Sequence, residues 1–226
     1  QDFKPRWWSI LRKFLVPGGE MLLCADTTQD IYDTAGLWTD EAMKDAGFRG
    51  PWVELRETYR LPENLIPLAN EFSRRYLPEK KIISLFAPPG PQQGLDFGMV
   101  QQSKLSWKSS RLFDFDFFKE VFAEIKDHLS KEGMAIADLT ILVQSKSGGQ
   151  KVIEFLEKMG VKTNHIFSED KNEERVKKKF FFMGAKGVKI CTVHSYKGWE
   201  SKIILLIWDG FFRESDYALF YTAITR

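Results

Sequence analysis

Short apolar runs of strand length alternate along this chain with segments whose apolar residues recur at helical intervals, and this alternation constrains the fold more than any other feature. The two strongest runs occupy residues 188–193 (VKICTV) and 203–208 (IILLIW), and a third, LTILV, occupies 139–143. Weaker strand-like runs stand at 21–25, 52–55 and 97–101. Trp7, Ile10, Leu11 and Phe14 share a helical face, which Pro17, Gly18 and Gly19 terminate. A weakly helical stretch ends near Asp45, and residues 60–77 make a further helix with Leu65, Leu68, Ala69 and Phe72 on one face. Helices follow at 115–129 and at 149–159, the latter closed by Gly160, and a last one starts near Ser215. Strands separated by helices call for parallel pairing, since a parallel connection needs a crossover of about a dozen residues or more. The expected fold class is α/β, a parallel sheet flanked by helices.

With 226 residues, 43% of them hydrophobic, the chain can bury one sizeable core or two modest ones. The breaker-rich stretch at 47–51 suggests a boundary between Gly50 and Glu54, hence domains 1–53 and 54–226. A net charge of +2 neither argues for nor excludes a nucleic-acid partner, because a basic groove can be balanced elsewhere. The basic run 177–179 follows Glu169, Asp170, Glu173 and Glu174, the pattern of a solvated surface. Cys24 and Cys191 lie in apolar runs and lack disulfide or metal-ligand spacing, so they are expected to be reduced and buried in a cytoplasmic protein. The longest apolar run, 203–208, is far too short to span a membrane.

Four polar islands stand at the ends of the expected strands or helices: ADTTQDIY (25–32), ETYRLP (57–62), TVHSYKGWES (192–201) and YTAITR (221–226). Such loops carry function in α/β proteins. The pair His194-Ser195 invites a hydrolase reading, yet no G-x-S-x-G elbow surrounds Ser195. The arginines suit another chemistry. A guanidinium is permanently charged and can hold two phosphate oxygens at once, which serves a transferring phosphoryl group whose charge is spread over its oxygens.

In this order the islands resemble the motifs of superfamily 1 helicases of the UvrD/Rep type: D-x-x-Q-x-I-Y, a Y-R before a helix, T-x-H-x-x-K-G-x-E, and a final T-R. The third element is the most specific, matched by Thr192, His194, Lys197, Gly198 and Glu200. The resemblance implies a RecA-like P-loop NTPase fold, with residues 1–53 the rear of a first RecA-like domain and 54–226 a second. It implies a motor that hydrolyses ATP with Mg²⁺ to move along single-stranded DNA, RNA being the less expected track, in the 3′ to 5′ direction. Gln29, Arg60 and Arg226 would then serve catalysis at the γ-phosphate. Tyr59 would stack on the adenine, and Lys197, Gly198 and Glu200 would face the nucleotide, with Glu200 on the ribose. Tyr32, Thr192, His194 and Ser195 would touch the strand, and an aromatic face stacks any base for about 1–3 kcal/mol.

The chain departs from the family in three ways. Asp33, Thr34 and Ala35 replace the usual small-residue-Trp-Arg-Gly sequence, so base stacking there would weaken or pass to Trp38. Only about 130 residues separate Arg60 from Thr192, too few for a large accessory domain. No G-x-x-x-x-G-K-[ST] loop occurs, and Gln1-Asp2 reads as the tail of a D-E-x-Q-[DN] motif. The sequence therefore leads us to expect part of a helicase that is inactive alone; the competing expectation is a non-catalytic nucleic-acid-binding adaptor with a degenerate motor fold.

Overall fold

The computed structural model describes residues 5–20, 22, 24, 57–58, 61–77, 85–86, 103–208, 210 and 213–226. The chain divides into two compact units, one of Gln1–Lys104 with Arg213–Thr225, the other of Leu105–Phe212 with Arg226. Among the described residues the helices are α1 (Pro5–Leu11), α2 (Ile66–Tyr76), α3 (Phe115–Lys131), α4 (Lys146–Lys158), α5 (Lys171–Phe180), α6 (Val193–Tyr196) and α7 (Tyr217–Ile224). The strands are β1 (Leu139–Val143), β2 (Thr163–His165), β3 (Val188–Thr192) and β4 (Ile203–Ile207). No helix among these is long and apolar enough to cross a membrane.

The second unit is α/β, and its four strands form one all-parallel sheet in the order β2-β3-β1-β4. β1 lies between β3 and β4, and all five of its residues are buried, which explains why LTILV reads as a continuous apolar run rather than an alternation. The register sets Val143 opposite Thr192 on one side and Ile207 on the other, so these strands end at one level. From α3 come Phe118, Phe122 and Leu129, and from α4 Val152, Ile153, Phe155 and Leu156, all buried. The Phe118 and Phe155 rings meet at 5.6 Å.

In this unit each helix start is fixed by a short polar side chain that accepts from an otherwise orphaned N–H. Asp114 accepts from the N–H of Phe117 (2.9 Å), Ser145 from Gly148 (3.0 Å), and Asp170 from Asn172 and Glu173 (both 2.8 Å). α4 ends in a Schellman motif: Gly160, at φ +68°, donates to the Glu157 carbonyl (2.9 Å) and Val161 to that of Leu156 (2.9 Å). Helix α4 begins three residues before the expected 149. Gly148 and Gly149, which look like breakers, lie inside it, and at 149 the close Phe167 ring demands glycine, since a Cβ there would come within 2.4 Å of it.

β2 and α5 are absent from the sequence-based expectation. β2 has three half-buried residues, and α5 buries none of its own, so neither carries an apolar period. The basic run lies on α5, where Lys177 pairs with Glu173 (3.0 Å) and Lys178 with Glu174 (2.6 Å), in keeping with a solvated surface for these two.

In the first unit, α2 packs on α7 around Leu61, Ile66, Ala69, Leu77 and Tyr221, with the Phe72 and Phe220 rings 5.2 Å apart. The expected helix 60–77 is shorter at its start. Pro67 lacks an N–H for the Glu63 carbonyl and fits only in the first turn, so α2 begins at Ile66 after a 3-10 turn at Glu63–Leu65. Its buried stripe is Ile66, Ala69 and Ser73, while the expected Leu68 is 43% exposed. The expectation of a buried Cys24 is corrected as well. Leu22 and Cys24, two apart and hence on one face of the expected strand 21–25, are both exposed and lie in no strand. Cys191 is buried in β3. The expected strands 52–55 and 97–101, the helical stretch to Asp45 and the boundary at 50–54 lie outside the described residues.

Candidate functional site

The sheet order reverses across its centre: from β1 the chain passes to the far edge at β2, returns to β3, and then crosses to the other side of β1 at β4. In open parallel sheets such a reversal opens a crevice outside the carboxyl ends of the strands. The segment following β3 at that end is the TVHSYKGWES island.

Its geometry follows from residue types in sequence. Thr192 leaves β3 in extended conformation and caps α6, its Oγ1 accepting from the Ser195 N–H at 3.3 Å and donating to the Ser195 hydroxyl at 3.2 Å. Val193 and Tyr196, three apart and therefore on one helical face, are buried, whereas His194 is exposed and Ser195 and Lys197 are half-exposed. Apolar and polar positions of the island thus divide between an anchoring face and a presenting face. The chain then turns back through Tyr196-Lys197-Gly198-Trp199, closed by Trp199 N–H to the Tyr196 carbonyl at 2.9 Å. Lys197 at φ −53°, ψ 123° followed by Gly198 at φ +95° is a type II turn, whose third residue must tolerate positive φ. A Cβ on Gly198 would meet nothing within 4 Å, so glycine is required by the backbone and not by crowding.

Tyr196 is the hub beneath this turn. Burial raises its phenol to about 12, opposed by the Ser201 hydroxyl and the Arg226 guanidinium and reinforced by Cys191 and Glu200. Arg226 and Glu200, distant in sequence, therefore both act on one buried group within the same unit. Burial likewise raises the Cys191 thiol.

Of the residues expected at the site, Thr192, His194, Ser195, Lys197, Gly198 and Glu200 form one contiguous rim, and Arg226 belongs to the unit that carries it. Gln29, Tyr32, Tyr59 and Arg60 lie outside the described residues. Those flanking Tyr59 and Arg60 are tied together, since the Leu61 N–H donates to Thr58 Oγ1 at 3.2 Å and the Thr58 N–H to the Phe86 carbonyl at 3.0 Å. Ser195 is engaged as the acceptor of the Thr192 hydroxyl within a helix cap, not raised on a strained elbow as a hydrolytic nucleophile would be.

A fifth polar island, absent from the sequence-based set, is QSKS after β1. Gln144 meets the loop beyond β4: a Cβ at Gly210 would stand 2.7 Å from its Oε1. A polar run directly after LTILV was the available signal. Among the described residues no group of three or more His, Cys, Asp and Glu side chains is arranged to hold a metal ion. No protein-family model matches the chain, and neither a curated protein nor a solved structure does.

Proposed function

We propose that this chain is the second half of the motor of an ATP-dependent DNA helicase or translocase, a RecA-like domain preceded by the rear of another. The observation that supports this best is the T-x-H-x-x-K-G-x-E segment: it leaves a central parallel strand at the carboxyl edge, presents His194, Ser195, Lys197 and Glu200, and shares the Tyr196 hub with Arg226. In this reading Lys197 and Arg226 offer fixed cations to nucleotide phosphates. His194, with the Thr192–Ser195 cap behind it, faces the nucleic-acid strand three residues from Lys197, so nucleotide and track contacts share one turn. ATP with Mg²⁺ would supply the driving reaction. The residues present fit one side of that site; the phosphate loop and acidic pair would come from residues outside this sequence.

Two measurements test the reading. In the intact protein, His194→Ala is expected to reduce DNA-stimulated ATPase while nucleotide binding survives, and Arg226→Ala to reduce the catalytic step about a thousandfold or more. Unchanged DNA stimulation in the first variant overturns the assignment. The chain alone is expected to show no Mg²⁺-dependent ATPase. The absence of a phosphate loop also favours a second reading, a nucleic-acid-binding adaptor with a degenerate motor fold. It prevails if the complete reading frame holds no G-x-x-x-x-G-K-[ST].

A further inference from the structure

α5 runs between two parallel strands, so its C-terminal end lies at the edge of the sheet where strands begin, opposite the candidate site. There it exposes what a folded surface normally hides. Val176 and Phe180, four apart on one face, are 54% and 69% exposed, and Phe182 beyond the helix is 53% exposed. The Phe182 ring is backed by Gly184, where a Cβ would come within 3.0 Å of it, so it stands as a supported plate. Lys179 and Lys186 are exposed in the same segment. Lys162 joins them, because the Val188 N–H donates to its carbonyl at 2.9 Å and a Cβ at Gly187 would meet that carbonyl oxygen at 2.6 Å.

The acidic residues of α5 do not neutralise this end. Both lie in the first turn of the helix, Glu173 held by Ser168 and Lys177, and Glu174 by Lys146 and Lys178. What remains is a pair of exposed rings interleaved with three ammonium groups.

We propose that this face, built on Phe180, Phe182, Lys162, Lys179 and Lys186, is a second binding surface for single-stranded nucleic acid. Lysines take the phosphates and the two rings take bases, a combination that binds strands without reading sequence. An acidic protein would satisfy the lysines but has no need of flat exposed rings. The surface lies within the unit that carries the candidate site, on its opposite edge, and its use requires no nucleotide.

Fluorescence anisotropy of a labelled 25-nucleotide oligo-dT against the 226-residue chain tests this. Phe180→Ala/Phe182→Ala is expected to weaken binding about tenfold or more, with thermal unfolding unchanged, and Phe180→Tyr/Phe182→Tyr to retain it. Lys179→Gln/Lys186→Gln should lower the slope of log affinity against log salt by about 1.4. The inference is overturned if the alanine pair binds like the native chain, if the tyrosine pair loses affinity equally, or if polyglutamate displaces the oligonucleotide from the native chain and depends on the lysines alone. His194→Ala separates the two surfaces. Loss there with intact binding in the phenylalanine variants removes this inference and leaves the motor reading standing. The converse removes the track contact at His194 and leaves this one.

Discussion

At position 198 the backbone decides the residue type. A type II turn places Gly198 at φ +95°, a conformation that costs an L-residue about 1–2 kcal/mol, and open space around its Cα offers nothing to compensate. Gly198→Ala is expected to lower the thermal midpoint by roughly 2–8 °C, as differential scanning calorimetry would register, while Gly160→Ala should act comparably through the end of α4. The two thiols give a second residue-scale outcome. Cys191 is buried in β3 with its thiol raised by desolvation, whereas Cys24 is exposed. A thiol reagent should therefore titrate one cysteine in the native chain at pH 8 and the second only in denaturant. Two fast-reacting thiols in the native chain would contradict the burial of β3. That contrast also shows why sequence alone misjudged Cys24: LLCAD and KICTV look alike as apolar runs, and only a neighbouring strand on each side distinguishes a core position from an exposed one.

Among the elements, legibility followed burial. β1 and β3 are apolar because both sheet faces are covered at the centre; β4, at the edge, is apolar though mostly half-buried, and the boundaries of all three agree with the expected runs to within a residue. β2 and α5 sit at the periphery and draw their definition from the Asp170 cap, charge pairs and backbone pairing to β3, none of which leaves a hydrophobic period. α6 was illegible for another reason: four residues cannot display a helical repeat, though the T-x-x-S cap at 192–195 was in plain view. The same periphery predicts a pH effect. His165 Nδ1 accepts from the Phe167 N–H at 3.3 Å, and the Phe167 ring lies against Gly149 at the start of α4. Burial first, then the Lys177 charge, lower the His165 pKa, with Glu157 and Glu173 opposing. The folded state thus prefers the neutral ring. Its contribution is complete above the ordinary value of 6.5 and is lost as pH falls below it. Urea midpoints should decline from pH 7.5 to pH 5.5, and His165→Gln should flatten that decline; an unchanged slope in the variant would assign it to other groups.

For the whole molecule, what matters is which residues a cooperative unit requires. Among the described residues, 105–212 contain the four strands of the sheet, α3 to α6, and the caps and ion pairs that fix them, among them Asp114 on α3, Ser145 on α4, Asp170 on α5, and Lys108 against Glu124 and Glu120. Among the described residues β1 is enclosed chiefly by β3, β4, α4 and α6, all inside the same limits. Arg226 is the one described residue of that unit contributed from beyond them, and it acts at the Tyr196 hydroxyl, which the same burial would keep protonated without it. A core of this size, about a hundred residues, is within the range that folds alone. The isolated segment 105–212 is therefore expected to unfold in a single cooperative urea transition with coincident circular dichroism and fluorescence signals. Non-coincident transitions would mean that the sheet needs residues from the other unit. The expected single transition would leave the site separable into a self-sufficient loop and an arginine delivered to it, and restoring residues 213–226 should then change the environment of Tyr196 more than the stability of the sheet.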